Sequence, residues 1–574
     1  MIPLVSTTKS IAILSLGALA TSISANAQGL PFEHDRDTHF FPGNLVVSRS
    51  VYDNNPNNVK VGTVLPPACA NTTGGCSAAT GAPYNGSYPL VFNNDIYDAN
   101  FGITSAIYLD QITPFGWLIN SLEVPNSSQH SIKSSSNQLV TSFSSKSELA
   151  LNLSTDGRVL SFMGYVAPVD AIDISNSNTP GAIDPTNPDG HNTYRAVATV
   201  NSDGQFNFTE TNAYSGNNGR AAILNNTDGA NVFYTTGNAG NGSNPQPNGI
   251  ILGAGSQFIT PSSAPESFQT PVTPTPLASF SVTELGDKAD KIGKDDNYRG
   301  LTTFNDVVYF TKGSGSNGVN TVYFVDTTGA ACPNGVGIPA VGAKLPISPL
   351  AYDQTKLQTA GLPDNVCILA GFPTALAKTA KVVAAPFGIW FANADTLYVA
   401  DEGDGYTGGT DLYTHAAAQT AAGLQKWVFN STTNTWSLAY TLQTGLNLGT
   451  PYTVARYPTG NNPGTSLPWA PATDGLRNIT GHVDRDGHVT LWAVTSTVSG
   501  GGDVGADPNR LVVVRDLLSN TSATVAASEK FVTLREAGFA EVLRGVSLTP
   551  GTNVARDHHD YDHGYDHDRS DDNR

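Results

Sequence analysis

Four arginines stand at the head of short apolar runs. They are Arg220 before Ala221-Ala222-Ile223-Leu224, Arg299 before Gly300-Leu301, Arg477 before Asn478-Ile479 and Arg544 before Gly545-Val546. A guanidinium stays charged and offers a planar fork of donors, so several brought to one axis would grip a single anion. The competing role is structural: a residue repeated at one point of a repeated unit ties each unit to the next through a carboxylate or a carbonyl. Arrays stabilised by nearest-neighbour interfaces favour that second role.

A second constellation is acidic. Asp401-Glu402-Gly403-Asp404-Gly405 sets carboxylates around glycines, with Asp411 nearby. Calcium takes six to eight hard oxygen ligands from such loops. The spacing and terminal Glu of an EF-hand are missing, and a solvated acidic turn is the alternative, as it is for Asp484, Asp486 and Asp295-Asp296. A third set, His558, His559, His563 and His567, lies among the aspartates of the last residues. Neutral imidazoles bind Zn²⁺, Ni²⁺ or Cu²⁺, while a tail of this composition also serves simply as a solubilising extension. Ca²⁺ at the acidic loop is the one cofactor expected.

Nucleophilic and phosphate-binding motifs are missing. The chain has no Gly-x-Ser-x-Gly elbow, no His-Glu-x-x-His and no glycine-rich phosphate loop running into a helix. Trp117, Trp390, Trp427, Trp436, Trp469 and Trp492 do not recur at a fixed point of the repeated unit, as a quinone-docking propeller would require.

The elements that must position these residues are strands. Charged residues make up only 14% of the chain, Gly and Pro are plentiful, and Asn, Ser and Thr separate short apolar runs, a composition that suits an all-β protein. The formal charge is −18, of which the tail from Arg556 supplies only a part. So acidic a surface excludes nucleic acid and anionic membranes as partners.

Residues 1–27 read as a signal peptide, with Lys9, the apolar stretch Ile11 to Ala20 and the small-x-small site Ala25-Asn26-Ala27. No later stretch is long and apolar enough to cross a bilayer, so a secreted, periplasmic or cell-surface protein is expected, acting as a monomer. In an oxidising compartment the sequential pairing Cys69–Cys76 and Cys332–Cys367 is the simplest of three connectivities. Asn-x-Ser/Thr sequons such as Asn71, Asn152 and Asn430 matter only in a eukaryotic source.

A repeated grammar runs through the chain. Apolar runs turn at Asp156-Gly157, Asp203-Gly204, Asp228-Gly229, Asn305-Asp306, Asn393-Ala394-Asp395 and Asp486-Gly487 into a second β-rich run, and Asp-Gly between such runs is a strong hairpin signal. Further strands follow most hairpins, giving about four per unit, the size of a propeller blade. Equivalent points at Leu149, Ala221, Gly300, Gly388, Arg477 and Gly545 are spaced more widely than compact blades. Insertions at Thr260–Pro276 and Cys332–Cys367 would account for the excess. Only short segments such as Ala416–Ala422 have helical composition.

The last run, Val542 to Pro550, opens like the other units but has no hairpin partner, whereas the first meander from Asn44 lacks an inner strand. Pairing the two would close a ring without a free edge between the termini. The expected fold is therefore all-β: a single six-bladed β-propeller over residues 44–550, closed by its terminal strands. It becomes seven-bladed if Leu277–Val282 starts a blade of its own. Residues 28–43 would form a flexible lead-in and 551–574 a disordered Asp/His-rich tail.

Leu109-Asp110-Gln111-Ile112-Thr113-Pro114, Tyr194–Ala198, Gly423–Trp427 and Arg544–Pro550 resemble a group of exported bacterial propellers of unassigned function. Leu397-Tyr398-Val399-Ala400-Asp401 resembles the blade strand of NHL, YVTN and gluconolactonase-like propellers. The gluconolactonase resemblance implies a divalent metal on the axis held by a Glu, an Asn and an Asp, for which Glu148, Asn478 and Asp401 are the matching types. Two functions follow as expectations. One is a binding or structural module for an extracellular polymer, peptide, small molecule or surface partner. The alternative is a metal-dependent hydrolase of lactonase or phosphoesterase type with an axial site.

Overall fold

A computed structural model describes residues 39–65, 83–86, 102–129, 138–145, 147–182, 192–238, 255–262, 271–277, 297–313, 318–332, 334–350, 365–380, 384–463, 465–501 and 505–552. Segment 1–27, most of 28–43, Asp295-Asp296, the Cys69–Cys76 pair and the tail histidines lie outside them.

Six sheets form. The first holds β1 (Leu45–Val51), β2 (Thr104–Ile112), β3 (Leu118–Glu123) and the short β4 (Thr141–Ser142). The second is β5 (Asn152–Leu153), β6 (Val159–Tyr165), β7 (Arg195–Asn201) and β8 (Phe206–Thr211). The third is β9 (Gly219–Asn225), β10 (Val232–Gly237), β11 (Ser256–Ile259) and β12 (Thr275–Pro276). The fourth is β13 (Leu301–Phe304), β14 (Val307–Lys312), β15 (Thr321–Val325), β16 (Val336–Gly337) and β17 (Val366–Leu369).

The fifth sheet is β18 (Pro386–Asn393), β19 (Thr396–Asp401), β20 (Gly423–Asn430) and β21 (Thr435–Leu442), with α1 (Leu412–Ala418) in its third connection. The sixth is β22 (Ala472–Val483), β23 (His488–Val498), β24 (Arg510–Leu517) and β25 (Val532–Glu536), with α2 (Ala523–Ala526) before its last strand. The chain then returns to the first sheet as β26 (Glu541–Leu548), which pairs antiparallel with β1 from Leu45↔Leu548 to Val51↔Glu541.

The first strands of successive sheets pack on one another in a closed cycle: β26 on β5, β5 on β9, β9 on β13, β13 on β18, β18 on β22 and β22 on β26. The protein is thus a six-bladed β-propeller closed by its two terminal strands, and the cycle leaves no place for a seventh blade at Leu277. Leu277 itself is buried against the third and fourth blades.

An ionic latch centred on a buried carboxylate fixes the closure. Arg49 on β1 reaches Asp110 on β2 at 2.7 Å and Glu541 on β26 at 2.7 Å, and Arg535 on β25 meets the same Asp110 at 3.0 Å. Asp110 is fully buried. The latch ties the two chain ends to the sixth blade as well as to each other.

The two expected insertions prove to contain blade strands. β12 lies inside the Pro-rich stretch, where a two-residue outermost strand tolerates proline because no neighbour needs its N–H. β17 lies at the end of the cysteine-bracketed stretch and pairs with β15, while Cys367 within it is joined to Cys332 by a disulfide. β5 is shorter than the run Glu148–Leu153 because Leu149 adopts φ 63°, a left-handed conformation outside the β region. The helix α1 starts before the helical composition does. Phe40, in the expected lead-in, is buried, and its N–H donates to the Ser202 carbonyl at 2.7 Å.

Strand direction sorts the connections onto two faces. First-to-second-strand links such as 154–158, 305–306 and 484–487 are tight hairpins on one face. Second-to-third-strand connections are mostly long and leave their strands at the other face, from Tyr52, Val166, Asn238, Gly313, Glu402 and Ser499. Links from one blade to the next share that long-loop face. Tethered loops on a rigid scaffold are where propellers place function.

Candidate functional site

Each first strand enters from the long-loop face, so the residues heading those strands gather at that end of the axis. All four recurring arginines are there and buried, together with Glu148 and Asn478. Arg220, leading β9, donates through Nη1 to the Tyr298 carbonyl at 2.6 Å and to Oδ1 of Asn297, both in the entry to the fourth blade. Arg299 lies 4.0 Å from Glu402 of the fifth blade and 5.7 Å over the Phe387 ring. Arg477 on β22 meets the other oxygen of Glu402 at 3.3 Å. Arg544 on β26 donates to Ser50 Oγ at 3.2 Å and to the carbonyls of Phe143 and Ser145, which lead into the second blade.

Three of the four guanidinium groups therefore reach from their own blade to the next one, and Arg477 reaches back to the blade before it. These are the inter-blade ties that a repeated arginine provides, built through both carboxylate and carbonyl acceptors. Burial and the neighbouring Arg299 charge press the Arg220 pKa well below its ordinary value, and burial, opposed by Glu402 and aided by the Arg477 charge, leaves that of Arg299 lowered. A guanidinium nevertheless stays protonated, so these directions reflect burial and the closeness of like charges rather than loss of a proton.

Glu148 is enclosed by donors. Its Oε2 accepts from Thr141 Oγ1 at 2.6 Å and the Ser142 N–H at 3.0 Å, and its Oε1 accepts from Tyr165 at 2.5 Å and Asn218 Nδ2 at 3.4 Å. Burial, then the Glu148 charge, raises the Tyr165 hydroxyl well above the usual phenol range. Arg195 stacks over Tyr165 at 5.1 Å and donates to the carbonyls of Thr193 and Asn217, at 2.7 Å and 3.0 Å. Tyr165 and Arg195 were not legible as partners of the Glu148 site, because they sit on second and third strands of a blade rather than at its head.

The acidic loop is pulled apart rather than gathered. Asp401 accepts from the Ala385 and Gly403 N–H groups at 2.8 Å and 3.0 Å and from Gln425 at 3.2 Å, and burial pushes its carboxyl up to about 6. Glu402 turns to the arginines. Asp404 pairs with His415 at 2.7 Å, and Asp411 accepts from Tyr406 at 2.8 Å. Asp484 and Asp486 on the hairpin face are held by Arg515.

Asn478 donates to the Arg544 carbonyl at 2.9 Å. Glu148, Asn478 and Asp401 thus each have separate partners. Among the described residues, the only His, Cys, Asp or Glu group with close ligand atoms is Asp326, Cys332 and Cys367, and its two sulfurs are bonded to each other. No helix of the described residues is long and apolar enough to cross a membrane.

No protein-family model and no curated protein matches the chain. Among solved structures, the NanB sialidase of Streptococcus pneumoniae is similar both as a mutant and with Optactamide. Identity is 7% over 70% of this chain, with a TM-score of 0.31, and the chain spans 62% of the sialidase's length. A polysaccharide lyase, an ulvan lyase, is 10% identical over 78% of this chain and 92% of its own, with a TM-score of 0.24. Likeness this distant carries no residue and no activity across.

Proposed function

We propose that the protein is an extracytoplasmic binding propeller: the arginine–carboxylate axis is scaffold, and the long-loop face holds an extracellular polymer, peptide or small molecule. The observation that carries the reading is the disposition of the axial carboxylates. Glu148 is enclosed by four donors and Glu402 faces two guanidinium groups, whereas a hydrolytic metal needs several oxygens left open towards one point. The Cys332–Cys367 disulfide supports an oxidising compartment.

The test uses the full chain with His558, His559, His563 and His567 replaced by Ala, which removes the tail imidazoles as a source of bound metal. Elemental analysis after gel filtration is expected to find no stoichiometric divalent ion. Lactone and phosphoester panels are expected to show no turnover that a chelator abolishes, while glycan and peptide arrays give hits lost on replacing residues 405–418, which spares Glu402, with a short turn. One retained Ca²⁺ per chain with chelator-sensitive turnover would establish the hydrolase instead.

A further inference from the structure

Arg220 is 3% exposed, yet both of its side-chain hydrogen bonds leave from Nη1 and end on neutral acceptors. Its Nε is buried and has no hydrogen-bond partner. That nitrogen belongs to the edge of the guanidinium that takes a carboxylate side-on. The strongest charge acting on it is that of Arg299, which repels; the fields of Glu402 and Glu148 oppose that repulsion, but their oxygens are held by other donors and neither bonds Nε. A buried guanidinium cannot shed its proton, and a buried charged donor left without a direct partner is among the costlier features a fold can carry.

We infer that the axis of this propeller contains a site for one small monovalent anion, of formate or acetate size, held against the Nε edge of Arg220. The anion accepts from Nε, offsets the repulsion between the third and fourth blades' arginines, and so acts as an internal counter-ion for the ring. The site is independent of whatever the long-loop face binds, so its failure would leave the binding reading untouched.

Two measurements on the intact protein test it. In the first, thermal unfolding is followed in sodium formate and in sodium gluconate at equal ionic strength, gluconate being too bulky for the buried site. Tm is expected to rise with the logarithm of formate concentration above the gluconate baseline, as ligand linkage requires. Arg220→Gln is expected to weaken the apparent formate affinity by about tenfold or more, the loss of a charge-assisted hydrogen bond. In the second, the ¹³C line of labelled formate is titrated with wild-type protein, where saturable broadening reversed by unlabelled acetate is expected. If Arg220→Gln does not fold, the labelled-formate titration decides alone. Coincident formate and gluconate melts with an unbroadened line overturn the proposal, and so does a folded Arg220→Gln that keeps the whole formate increment.

Discussion

Gly300 lies so close to the carbonyl oxygen of Phe387 that a Cβ on it would stand 2.0 Å from that oxygen. The relationship recurs around the ring. A Cβ on Gly388 would meet the Arg477 carbonyl at 2.4 Å, and one on Gly545 the Leu149 carbonyl at 2.3 Å. In each case a glycine near the head of a first strand lets the next blade's first strand pass at backbone distance. The ring diameter is thereby set by absent side chains. The Ser48 hydroxyl shows how tight the closing node is: it donates to the Leu149 carbonyl at 2.8 Å and accepts from the Gly545 N–H at 2.7 Å.

Gly300→Ala should therefore destabilise the protein by about 2–4 kcal/mol, because the obstructing atom is backbone and cannot rotate away. Gly342→Ala is the control, since nothing stands within 4 Å of a Cβ there. Its φ of 84° confines its cost to backbone strain of about 1–2 kcal/mol. Urea unfolding of the two variants would measure the difference, and equal midpoints would remove the close-approach account of the ring.

The closing strand makes a sharper prediction. β26 is the innermost strand of the first blade and packs on both β5 and β22. Ending the chain before Val542 should abolish the cooperative transition and leave the remainder sensitive to protease. Ending it after Pro550 keeps the whole β1–β26 register and the Arg49 latch and loses only terminal contacts, among them the Gly551 N–H to the Gly157 carbonyl at 2.8 Å. That chain should melt within a few degrees of the full-length protein. Identical melting of both truncated chains would refute closure by the terminal strands.

What the sequence disclosed and what it hid divide along the range of the interactions. The hairpins were legible because Asp156-Gly157 or Asp486-Gly487 encodes a turn within a few residues. The closure was legible as bookkeeping, one run too many at Arg544 and one too few before Leu45. β12 was hidden because two residues including Pro276 carry no period at all. β17 was hidden because its place depends on pairing with β15 and β16 across a long excursion, which the Cys332–Cys367 bond helps to close. Glu402 invited a metal reading from its neighbours in sequence. Its actual partners, Arg299 and Arg477, come from the blades on either side, and only ring order reveals them.

The interface of the fifth and sixth blades should make stability depend on pH through Glu529. Asp516 on β24 is fully buried, pairs with Lys426 at 3.0 Å and accepts from the hydroxyls of Tyr440, at 2.7 Å, and Tyr398. Glu529, in the link after α2, shares this surround. Burial first, then the Asp516 carboxylate, pushes its carboxyl from 4.5 up to about 8. The folded protein then holds a proton that the unfolded chain releases from about pH 4.5 upwards, so between those values the native state binds more protons.

Its contribution is fully present below pH 4.5 and is lost as pH rises through about 8. Asp401 loses stability with the same sign at lower pH, but equally in both proteins compared. Glu529→Gln keeps the shape of the protonated group and cannot ionise. It should match the wild type near pH 5 and exceed it near pH 9 in urea unfolding. Parallel stability curves for the two proteins across that range would show that Glu529 ionises without opposition from Asp516.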